Sequence, residues 1–416
     1  MVLTIILLAA AGLLAVPAVC FVLALISPSR ARELPGGADT ECRRLLFLVS
    51  AHNEEALIGE CVGSLVGVEY PADRLQVVVI ANNCSDRTAE MARAAGARVL
   101  ERSDPVREGK PHALAWALEW LRDEPYETCV IVDADSIAEP GFARGVNALG
   151  PLGENAAQAY FATWNEDESW LTLLAGIFAR AKYEVLYPVK DRAGLNCPLT
   201  GNGMVFSAIP LKRDGWTAFS LTENWELYAD YTIKGRRIFF ARGARLLSQE
   251  VRALRQGKTQ RERWTRGRRA ALRRYAGPLF RSDRIGWLQK LDAVLELGLP
   301  GPVVAASIAL IVAALALLLV GDEQGMVVAA IAVASQLPLA YATVAVTLRH
   351  PHPGRVLLAL ARLPVYAVWR LSVALGTWIG VANTSWTRTQ RNEPTDAPES
   401  PPAPESAALP GAPRHP

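Results

Sequence analysis

The chain has 416 residues, of which 51% are hydrophobic and 20% are charged, and its formal net charge at pH 7 is +3. With a mean hydropathy of +0.15, it is too apolar for an average soluble protein and too charged for one that lies wholly within a membrane. A net charge this small gives no global signature of nucleic-acid binding, so we expect no nucleic-acid partner. The length predicts about two to three domain-sized units.

Three apolar runs are long enough to cross a bilayer as helices. They cover residues 4–26, 302–320 and 326–348. A cleaved signal peptide is the alternative for the first, but no basic residues follow the initiator methionine and the run is too long. We therefore predict one transmembrane helix over 1–28 and two more over 300–348.

Basic residues gather at one end of each predicted span. They are Arg30, Arg32, Arg43 and Arg44 after the first span, the arginine-rich stretch 252–274 before the second, and Arg349 and Arg355 after the third. All of them lie on one side if each run crosses once, and basic loops stay in the cytoplasm. These positions predict a multi-pass protein of the bacterial inner (plasma) membrane, whose domain over 40–280 is cytoplasmic.

Three further segments complete the predicted domain layout. Leucines at helical spacing opposite polar residues predict an interfacial amphipathic helix over 285–298. Residues 356–391 are apolar at first but carry charges, so either a membrane span or an interfacial helix fits. The tail over 392–416 is rich in Pro, Ala and Glu, which predicts disorder.

The cytoplasmic part has the pattern of an α/β fold. Short apolar segments that alternate with helices occupy 45–49, 75–80, 97–100 and 129–132. They predict a Rossmann-like, mostly parallel sheet with helices on both faces. Ligands of such sheets bind at the carboxyl ends of the strands. Polar clusters follow three of the strands at these ends: Asn53-Glu54, Asn82 to Asp86 and Asp133 to Asp135.

The Asp133-Ala134-Asp135 pair is the most chemically informative of these clusters. Mg²⁺ and Mn²⁺ favour carboxylate oxygens and complete their shells with phosphate oxygens. Two carboxylates just past a buried strand could hold such a metal and neutralise charge on a departing diphosphate. A solvated acidic turn is the alternative interpretation.

Two basic elements could serve the same site. Lys110 stands at the start of a predicted helix, where it could pair with a phosphate, although an ordinary surface lysine fits the same position. Further along, Gln260, Arg263 and Trp264 combine a guanidinium, which suits phosphate oxygens, with an indole face, which suits a sugar ring. The alternative for this stretch is an amphipathic basic helix on the membrane surface.

Seven motifs resemble, in order and spacing, the signature of family 2 glycosyltransferases. They are Ser50-Ala51-His52-Asn53-Glu54-Glu55, Asn82-Asn83-Cys84-Ser85-Asp86-Arg87-Thr88, Gly109-Lys110 with Ala113-Leu114, Asp133-Ala134-Asp135, Thr200-Gly201-Asn202-Gly203, Leu221-Thr222-Glu223, and Gln260-Arg261-Glu262-Arg263-Trp264. The resemblance covers residues 44–270 and extends to the flanking membrane segments. It points to the membrane-integrated branch with cellulose, chitin and hyaluronan synthases and ceramide glucosyltransferase-like enzymes.

The resemblance implies a GT-A fold, an inverting displacement and a role for each matched residue. The nucleotide-sugar would be bound by Asn53, Glu54, Asp86, Lys110, Asp133, Gln260 and Arg263, and the metal by Asp133 and Asp135. The acceptor would lie against Thr200, Gly201, Asn202 and Trp264. The element Ser385-Trp386-Thr387-Arg388 would bring Arg388 to the nucleotide, with interface anchoring as the alternative.

The pattern departs from the family at the general base. The family has Glu-Asp after the threonine, with the aspartate as base, whereas this chain has Thr222-Glu223-Asn224. Asparagine cannot take the proton of a hydroxyl. We predict Glu223 as the base, beside Asp135 and Arg263 as the other catalytic residues. Glu226, an acceptor that needs less activation, and impaired catalysis are the alternatives.

Together these features predict transfer of a sugar from a nucleotide-sugar, with a uridine diphosphate sugar favoured, to a lipid or growing polysaccharide. The expected cofactor is Mg²⁺ or Mn²⁺, and the lipid bilayer is an expected partner. A catalytically silent nucleotide-sugar-binding subunit of an envelope polysaccharide complex is the alternative that Asn224 supports.

Overall fold

The structure is a computed structural model, and it describes residues 2–27 and 41–378. Eight strands within these residues form one sheet. The strands are β1 (Leu45–Ala51), β2 (Leu75–Asn82), β3 (Arg98–Arg102), β4 (Thr128–Asp133), β5 (Ser136–Ala138), β6 (Ala156–Thr163), β7 (Met204–Ser207) and β8 (Ile238–Ser248). Their order across the sheet is β3-β2-β1-β4-β7-β6-β8-β5. The first four are parallel, as are β6 and β8, while β7 is antiparallel to β4 and β6, and β5 to β8. The predicted α/β class is confirmed.

The helices surround this sheet or follow it. Those before β8 are α1 (Val2–Ile26), α2 (Ile58–Val66), α3 (Thr88–Ala94), α4 (Lys110–Trp120), α5 (Phe142–Asn147), α6 (Trp170–Arg180), α7 (Tyr187–Arg192), α8 (Ala208–Asp214) and α9 (Glu223–Ile233). Those after it are α10 (Leu254–Arg281), α11 (Trp287–Gly298), α12 (Pro302–Leu315), α13 (Glu323–Ala334), α14 (Leu337–Arg349), α15 (Pro353–Leu360) and α16 (Leu363–Trp378).

The strand side chains are buried on both faces of the sheet. Leu46 and Leu48 of β1 join a core with α4, α9, α10 and α11, whereas Leu45, Phe47 and Val49 join a core with α2, α3 and α5. Successive strand residues point to opposite faces, so burial of both faces explains the continuous apolar runs in the sequence. The polar turns are left at the carboxyl ends of the strands.

Two helices, Val2–Ile26 and Pro302–Val320, are long and apolar enough to cross a membrane, and two bent pairs would raise that number to four. The first of them packs against α12 and α13 through small residues, including Ala11, Ala309 and Ala332. Small residues let apolar helices approach closely, as in membrane helix bundles.

The run 326–348, expected as one helix, is the bent pair α13 and α14, which meet at an angle of 42°. Pro338 lies in the first turn of α14, where its ring cannot continue the hydrogen bonding of α13. The pair α15 and α16 is bent by 49°, with Pro364 in the same relative place. The end of the predicted segment 356–391, with its Trp-Thr-Arg element and Arg388, and the tail 392–416 lie outside the described residues.

The predicted helix over 285–298 is present as α11, but its polar face points into the protein. Gln289 and Asp292 are buried, and the Asp292 carboxylate lies 3.1 Å from the Lys190 ammonium of α7. The Glu296 carboxylate is 3.0 Å from the same ammonium. The charges that suggested contact with water therefore form an ionic link to the sheet domain.

Three consecutive acids tie the loop after β6 to other elements. Glu166 forms an ion pair with Arg180 of α6, and Glu168 accepts two hydrogen bonds from Arg252, just before α10. Asp167 pairs with Arg355 of α15 at 2.6 Å. This loop therefore links the segment after α14 to the base of the long helix α10.

Candidate active site

The polar turns predicted to form the site meet at one edge of the sheet. Ser50 of β1 is in register with Asp133 of β4, and Ala51 is in register with Ala81 of β2. The turns after these three strands are therefore neighbours, because parallel strands end at the same edge.

The turns after β1 and β2 are joined by reciprocal hydrogen bonds. The Asn53 side chain accepts from the Ser85 N–H at 2.8 Å, and the Glu54 N–H donates to the Thr88 hydroxyl at 2.8 Å. Asn53 has φ of 55°, a left-handed conformation that asparagine tolerates better than most residues. The structure thus brings Asn53, Glu54 and Asp86 together, as predicted.

The Asp86 carboxylate accepts hydrogen bonds from both of these turns. Its carboxylate accepts from the Thr88 N–H at 3.0 Å and from the Glu55 N–H at 3.2 Å. Partial burial alone would raise the pKa of Asp86, but these hydrogen bonds, with that of the Thr88 hydroxyl, outweigh it and lower the pKa. The carboxylate is therefore ionised and positioned before any ligand arrives.

Lys110 reaches the Asp-x-Asp turn from the first residue of α4. Its ammonium donates to the Asp133 carboxylate at 2.5 Å and to the Gly201 carbonyl at 2.7 Å. Burial alone would lower the pKa of Lys110, but the charges of Asp133 and Glu223 raise it. Lys110 is therefore a positively charged residue fixed by two hydrogen bonds at the acidic turn, and not an ordinary surface lysine.

The loop Thr200–Gly203 braces the same turn from behind. The Asn202 side chain accepts from the Asp133 N–H at 3.1 Å and donates to the Ser136 hydroxyl at 2.8 Å. Both ends of this amide are occupied, so Asn202 fixes the turn, and the acceptor role that the resemblance implies for it stays a prediction. Gly201 and Gly203 have φ of 91° and 65°, where a side chain would be strained.

Gln158 is a contributor that the sequence did not reveal. It is fully buried in β6, accepts from the Thr200 N–H at 2.9 Å and donates to the Asn202 carbonyl at 2.8 Å. A buried amide must satisfy its hydrogen bonds, and here it does so by holding the loop. A glutamine within an apolar strand pattern was the available signal, but its partner Thr200 lies 42 residues further along the chain.

Glu223 begins α9 and faces the Lys110 cluster. Its residue is 7% exposed and its carboxylate lies 4.0 Å from the Lys110 ammonium. Burial raises the pKa of Glu223, and the charges of Lys110 and Arg263 partly offset that rise. Burial lowers the pKa of Arg263, which feels the charges of Glu223 and Asp133. The structure thus assembles Lys110, Asp133, Glu223 and Arg263 in one charged cluster.

The side chains of Asn224 and Glu226 form hydrogen bonds and an ion pair with residues other than Lys110. The Asn224 amide donates to the Leu199 carbonyl at 2.9 Å, a bond that an ionised aspartate could not donate. The Glu226 carboxylate accepts from the Ser220 N–H at 2.9 Å and pairs with Arg274 at 3.0 Å. Of the two carboxylates considered for the base, Glu223 is the one beside Lys110.

Helix α10 carries the remaining predicted residues. Gly267 packs against Thr222 so closely that an added Cβ would overlap its side chain. Arg263 lies one turn earlier, where its charge acts on the Glu223 carboxylate. Trp264 is 37% exposed, with the Arg261 guanidinium 4.6 Å from its ring centre. Gln260 lies one turn before Trp264 and on the same face of the helix.

The acidic turn suits a divalent metal that shares its ligands with a diphosphate. Among the described residues, no group of three or more His, Cys, Asp or Glu side chains could hold a metal. The Asp133 and Asp135 carboxylates are the acids of the turn, and Mg²⁺ is typically held by one or two carboxylates together with phosphates and water. The donor set therefore fits a metal that binds with its substrate.

Known proteins with similar sequences were compared with this chain. It is 25% identical over 260 residues to the probable glycosyltransferase YdaM of Bacillus subtilis, covering 59% of this chain and 60% of that protein. It is 29% identical over 189 residues to the beta-monoglucosyldiacylglycerol synthase of Trichormus variabilis, covering 44% and 39% respectively. The matches thus span about 60% or less of the length of these relatives.

A solved structure shares the fold. The mannosyltransferase PcManGT from Pyrobaculum calidifontis, determined in complex with GDP-Man and Mn²⁺, superposes with a TM-score of 0.54 at 20% identity, covering 90% of this chain and 99% of that one. This likeness confirms the GT-A-like fold. The model of the family described as "Glycosyltransferase like family 2" matches residues 43–267, which contain the sheet and the charged cluster at its edge. The chain therefore belongs to glycosyltransferase family 2.

Proposed function

We propose that this protein is a membrane-bound, inverting glycosyltransferase that moves a sugar from a nucleotide-sugar, preferably a uridine diphosphate sugar, to a lipid or growing polysaccharide. The observation that carries the proposal is the cluster of Lys110, Asp133, Glu223 and Arg263 at the carboxyl edge of the sheet. Its cations could stabilise the charge that develops on a diphosphate, and its buried carboxylate could take the proton of a hydroxyl, which supports the proposal.

Each part of the donor has a matching surface. Asn53, Glu54 and Asp86 lie on two turns that hydrogen bonds hold together, and their polar side chains would suit a nucleoside. Lys110 and Arg263, with Gln260 on the same helix as Arg263, supply donors for the diphosphate. Mg²⁺ or Mn²⁺ held by Asp133 and Asp135 would neutralise charge on the leaving diphosphate.

Glu223 would act as the general base. Its raised pKa brings the carboxyl nearer to the pH at which a base is most effective, and burial keeps water from competing for it. In an inverting reaction the acceptor hydroxyl attacks the anomeric carbon as Glu223 takes its proton, and the bond to the diphosphate breaks on the opposite side.

The two apolar helices support a membrane location. A lipid acceptor is supported by one relative, which is named a beta-monoglucosyldiacylglycerol synthase. The basic residues near the predicted spans support a cytoplasmic active site at the bacterial inner membrane. PcManGT was determined in complex with GDP-Man and Mn²⁺, which supports the use of a nucleotide-sugar donor and a divalent metal by this chain.

The test is turnover by the purified full chain with a panel of nucleotide-sugars and Mg²⁺ or Mn²⁺, measured as nucleotide release. Glu223→Gln should lower kcat about 10²- to 10⁴-fold while the donor Kd stays unchanged. Asp135→Asn should abolish the stimulation of nucleotide release by Mg²⁺ or Mn²⁺. Glu101→Gln, an exposed acid on β3, is the matched control.

Two outcomes would contradict this proposal. Metal-dependent donor binding without nucleotide release under any condition would support the silent binding subunit, which Asn224 at the family's base position favours. Near-normal turnover of Glu223→Gln together with loss in Glu226→Gln would move the base to Glu226.

A further inference from the structure

Arg370 of α16 lies in a group of positive charges. Its guanidinium would come within 3.5 Å of a methyl group on Gly301, the residue before α12, and the charges of Arg261 and Arg268 of α10 act on it. Arg370 is partly buried, yet its side chain forms no hydrogen bond or ion pair with any residue that the structure describes. The Trp369 ring, 6.0 Å from the guanidinium carbon, supplies only a weak attraction. A partly buried charge without a counter-charge is costly, so the position of Arg370 suits an added anion.

The other two arginines of this group already have acidic partners. Arg261 lies 3.4 Å from the Glu250 carboxylate. Arg268 donates to the Glu296 carbonyl and feels the charge of the Glu296 carboxylate. Among the described residues, neither of these acids nor any other carboxylate acts on Arg370. The three arginines therefore keep a net positive charge that centres on Arg370.

This group lies on the side of α10 that faces away from the charged cluster of the active site. Arg261 and Arg268 are seven residues apart, which is about two turns, so they share one face of the helix. Arg263, whose charge acts on Glu223, follows Arg261 by two residues and therefore points about 160° away from it. An anion beside Arg370 is thus distinct from the diphosphate of the donor, which would lie on the Arg263 side.

The packing of α16 brings Arg370 to the edge of the predicted bilayer. A methyl group on Gly257, in the first turn of α10, would lie 3.6 Å from the Trp369 ring, and the Arg269 guanidinium donates to the Thr377 carbonyl at 3.4 Å. Both contacts advance along both helices, so α16 runs beside α10, which carries too many arginines to enter the hydrocarbon. Arg370 also adjoins the start of α12, which is apolar enough to cross a membrane. It therefore lies at the level where lipid head groups would meet the protein.

The surroundings of Arg370 select a phosphate in a head group with net negative charge. A guanidinium forms paired hydrogen bonds with phosphate oxygens, and anionic lipids of the cytoplasmic leaflet attract basic segments beside a membrane span. A choline lipid also has a phosphate, but its quaternary ammonium would add a further cation beside Arg261 and Arg268. An acyl chain would leave the guanidinium without hydrogen bonds.

We propose that Arg370, together with Arg261 and Arg268, binds the phosphate of an anionic phospholipid from the cytoplasmic leaflet. The site rests on the membrane location proposed above and goes beyond the proposed function, since it assigns a lipid that is neither donor nor acceptor. The bound lipid would join α10, which carries Arg263, to the start of α12, and so hold the active-site helix at the membrane surface.

Native mass spectrometry of the full chain in dodecyl maltoside, with added phosphatidylglycerol or phosphatidylcholine of identical acyl chains, tests this site. Wild-type protein should bind phosphatidylglycerol more tightly than phosphatidylcholine. Arg370→Gln should raise the Kd for phosphatidylglycerol at least about tenfold, without that effect on phosphatidylcholine. Arg370→Lys should keep part of the preference, because it retains the charge but not the paired hydrogen bonds. Arg122→Gln, which removes an exposed cation of the sheet domain, is the charge-matched control and should bind both lipids as wild type does.

Thermal unfolding separates loss of the site from loss of the fold. In detergent without anionic lipid, Arg370→Gln should have a Tm equal to or above that of wild type, because the repulsion from Arg261 and Arg268 is removed. Added phosphatidylglycerol should then raise the Tm of wild type but not that of the variant, since a ligand stabilises only the protein that binds it.

An equal preference for phosphatidylglycerol in wild type and Arg370→Gln would overturn the proposal, and so would a lipid-free Tm of that variant well below the wild-type value. Binding of inorganic phosphate in place of phosphatidylglycerol would assign the site to a soluble anion and overturn the lipid assignment. Nucleotide release is measured on the same samples. A chain that shows the Arg370-dependent lipid preference but releases no nucleotide would contradict the proposed function and leave the lipid site intact.

Discussion

At the scale of single residues, the site depends on charges that hold one another in place. Lys110 bridges Asp133 and Gly201 and lies within 4.0 Å of Glu223. Its positive charge opposes the effect of burial on the Glu223 carboxyl. Lys110 therefore positions the acidic turn and tunes the predicted base at the same time.

This double role predicts a change in the pH dependence of turnover. A general base works when deprotonated, so the acidic limb of the profile follows the raised pKa of Glu223. Lys110→Gln removes a charge that lowers that pKa, so the limb should move to higher pH when kcat is measured at saturating donor. Lys234→Gln, which removes a cation paired with Asp230 on the same helix as Glu223, should leave the limb in place. An unmoved limb in Lys110→Gln would exclude Glu223 as the titrating base.

At the scale of elements, close packing of two helices sets the geometry of the site. α10 approaches the start of α9 where Gly267 meets Thr222. Glycine is unfavourable within a helix, so its presence here is explained by the space that Thr222 takes. The position of Arg263, whose charge acts on Glu223, therefore depends on the contact between Gly267 and Thr222.

Gly267→Ala should lower turnover and destabilise the protein by about 1–3 kcal/mol, because the added methyl group overlaps Thr222 and pushes α10 away. Gly277→Ala is the matched control in the same helix, since its methyl group would meet the end of the Arg281 side chain. That control should be neutral or stabilised by up to about 1 kcal/mol. Thermal melts and kcat of both variants decide the point, and wild-type kcat in Gly267→Ala would contradict this account of the packing.

At the scale of the whole molecule, buried ions join the sheet domain to the helices that follow it. Lys190 of α7 lies between Asp292 and Glu296 of α11, and α11 leads into α12. Burial raises the pKa of Asp292 to about 6, with Lys190 acting in the opposite direction. Burial of these charges costs desolvation free energy, which the attraction of Lys190 to both carboxylates offsets.

Lys190→Met should destabilise the protein by about 3–5 kcal/mol at pH 8, because the buried Asp292 carboxylate loses its cation and Glu296 loses one of the cations that act on it. The gap in apparent Tm from wild type should narrow at pH 5, since Asp292 is protonated below its pKa and no longer needs a partner. Lys290→Met on the exposed side of α11 is the comparison variant. A gap that is equal at both pH values would contradict the buried ionic link.

The sequence by itself determined the α/β class, the four parallel strands, the apolar helices and the family, because these follow from local periodicity and from motifs of a few residues. It also named Lys110, Asp133 and Glu223. Tertiary structure alone decided that Gln158 and Asn202 brace the acidic turn, that the polar face of α11 points inward, and that Arg370 lies near Arg261 and Arg268. Each of these depends on partners far away in sequence, and no local pattern encodes which side chains meet when the sheet and helices pack together.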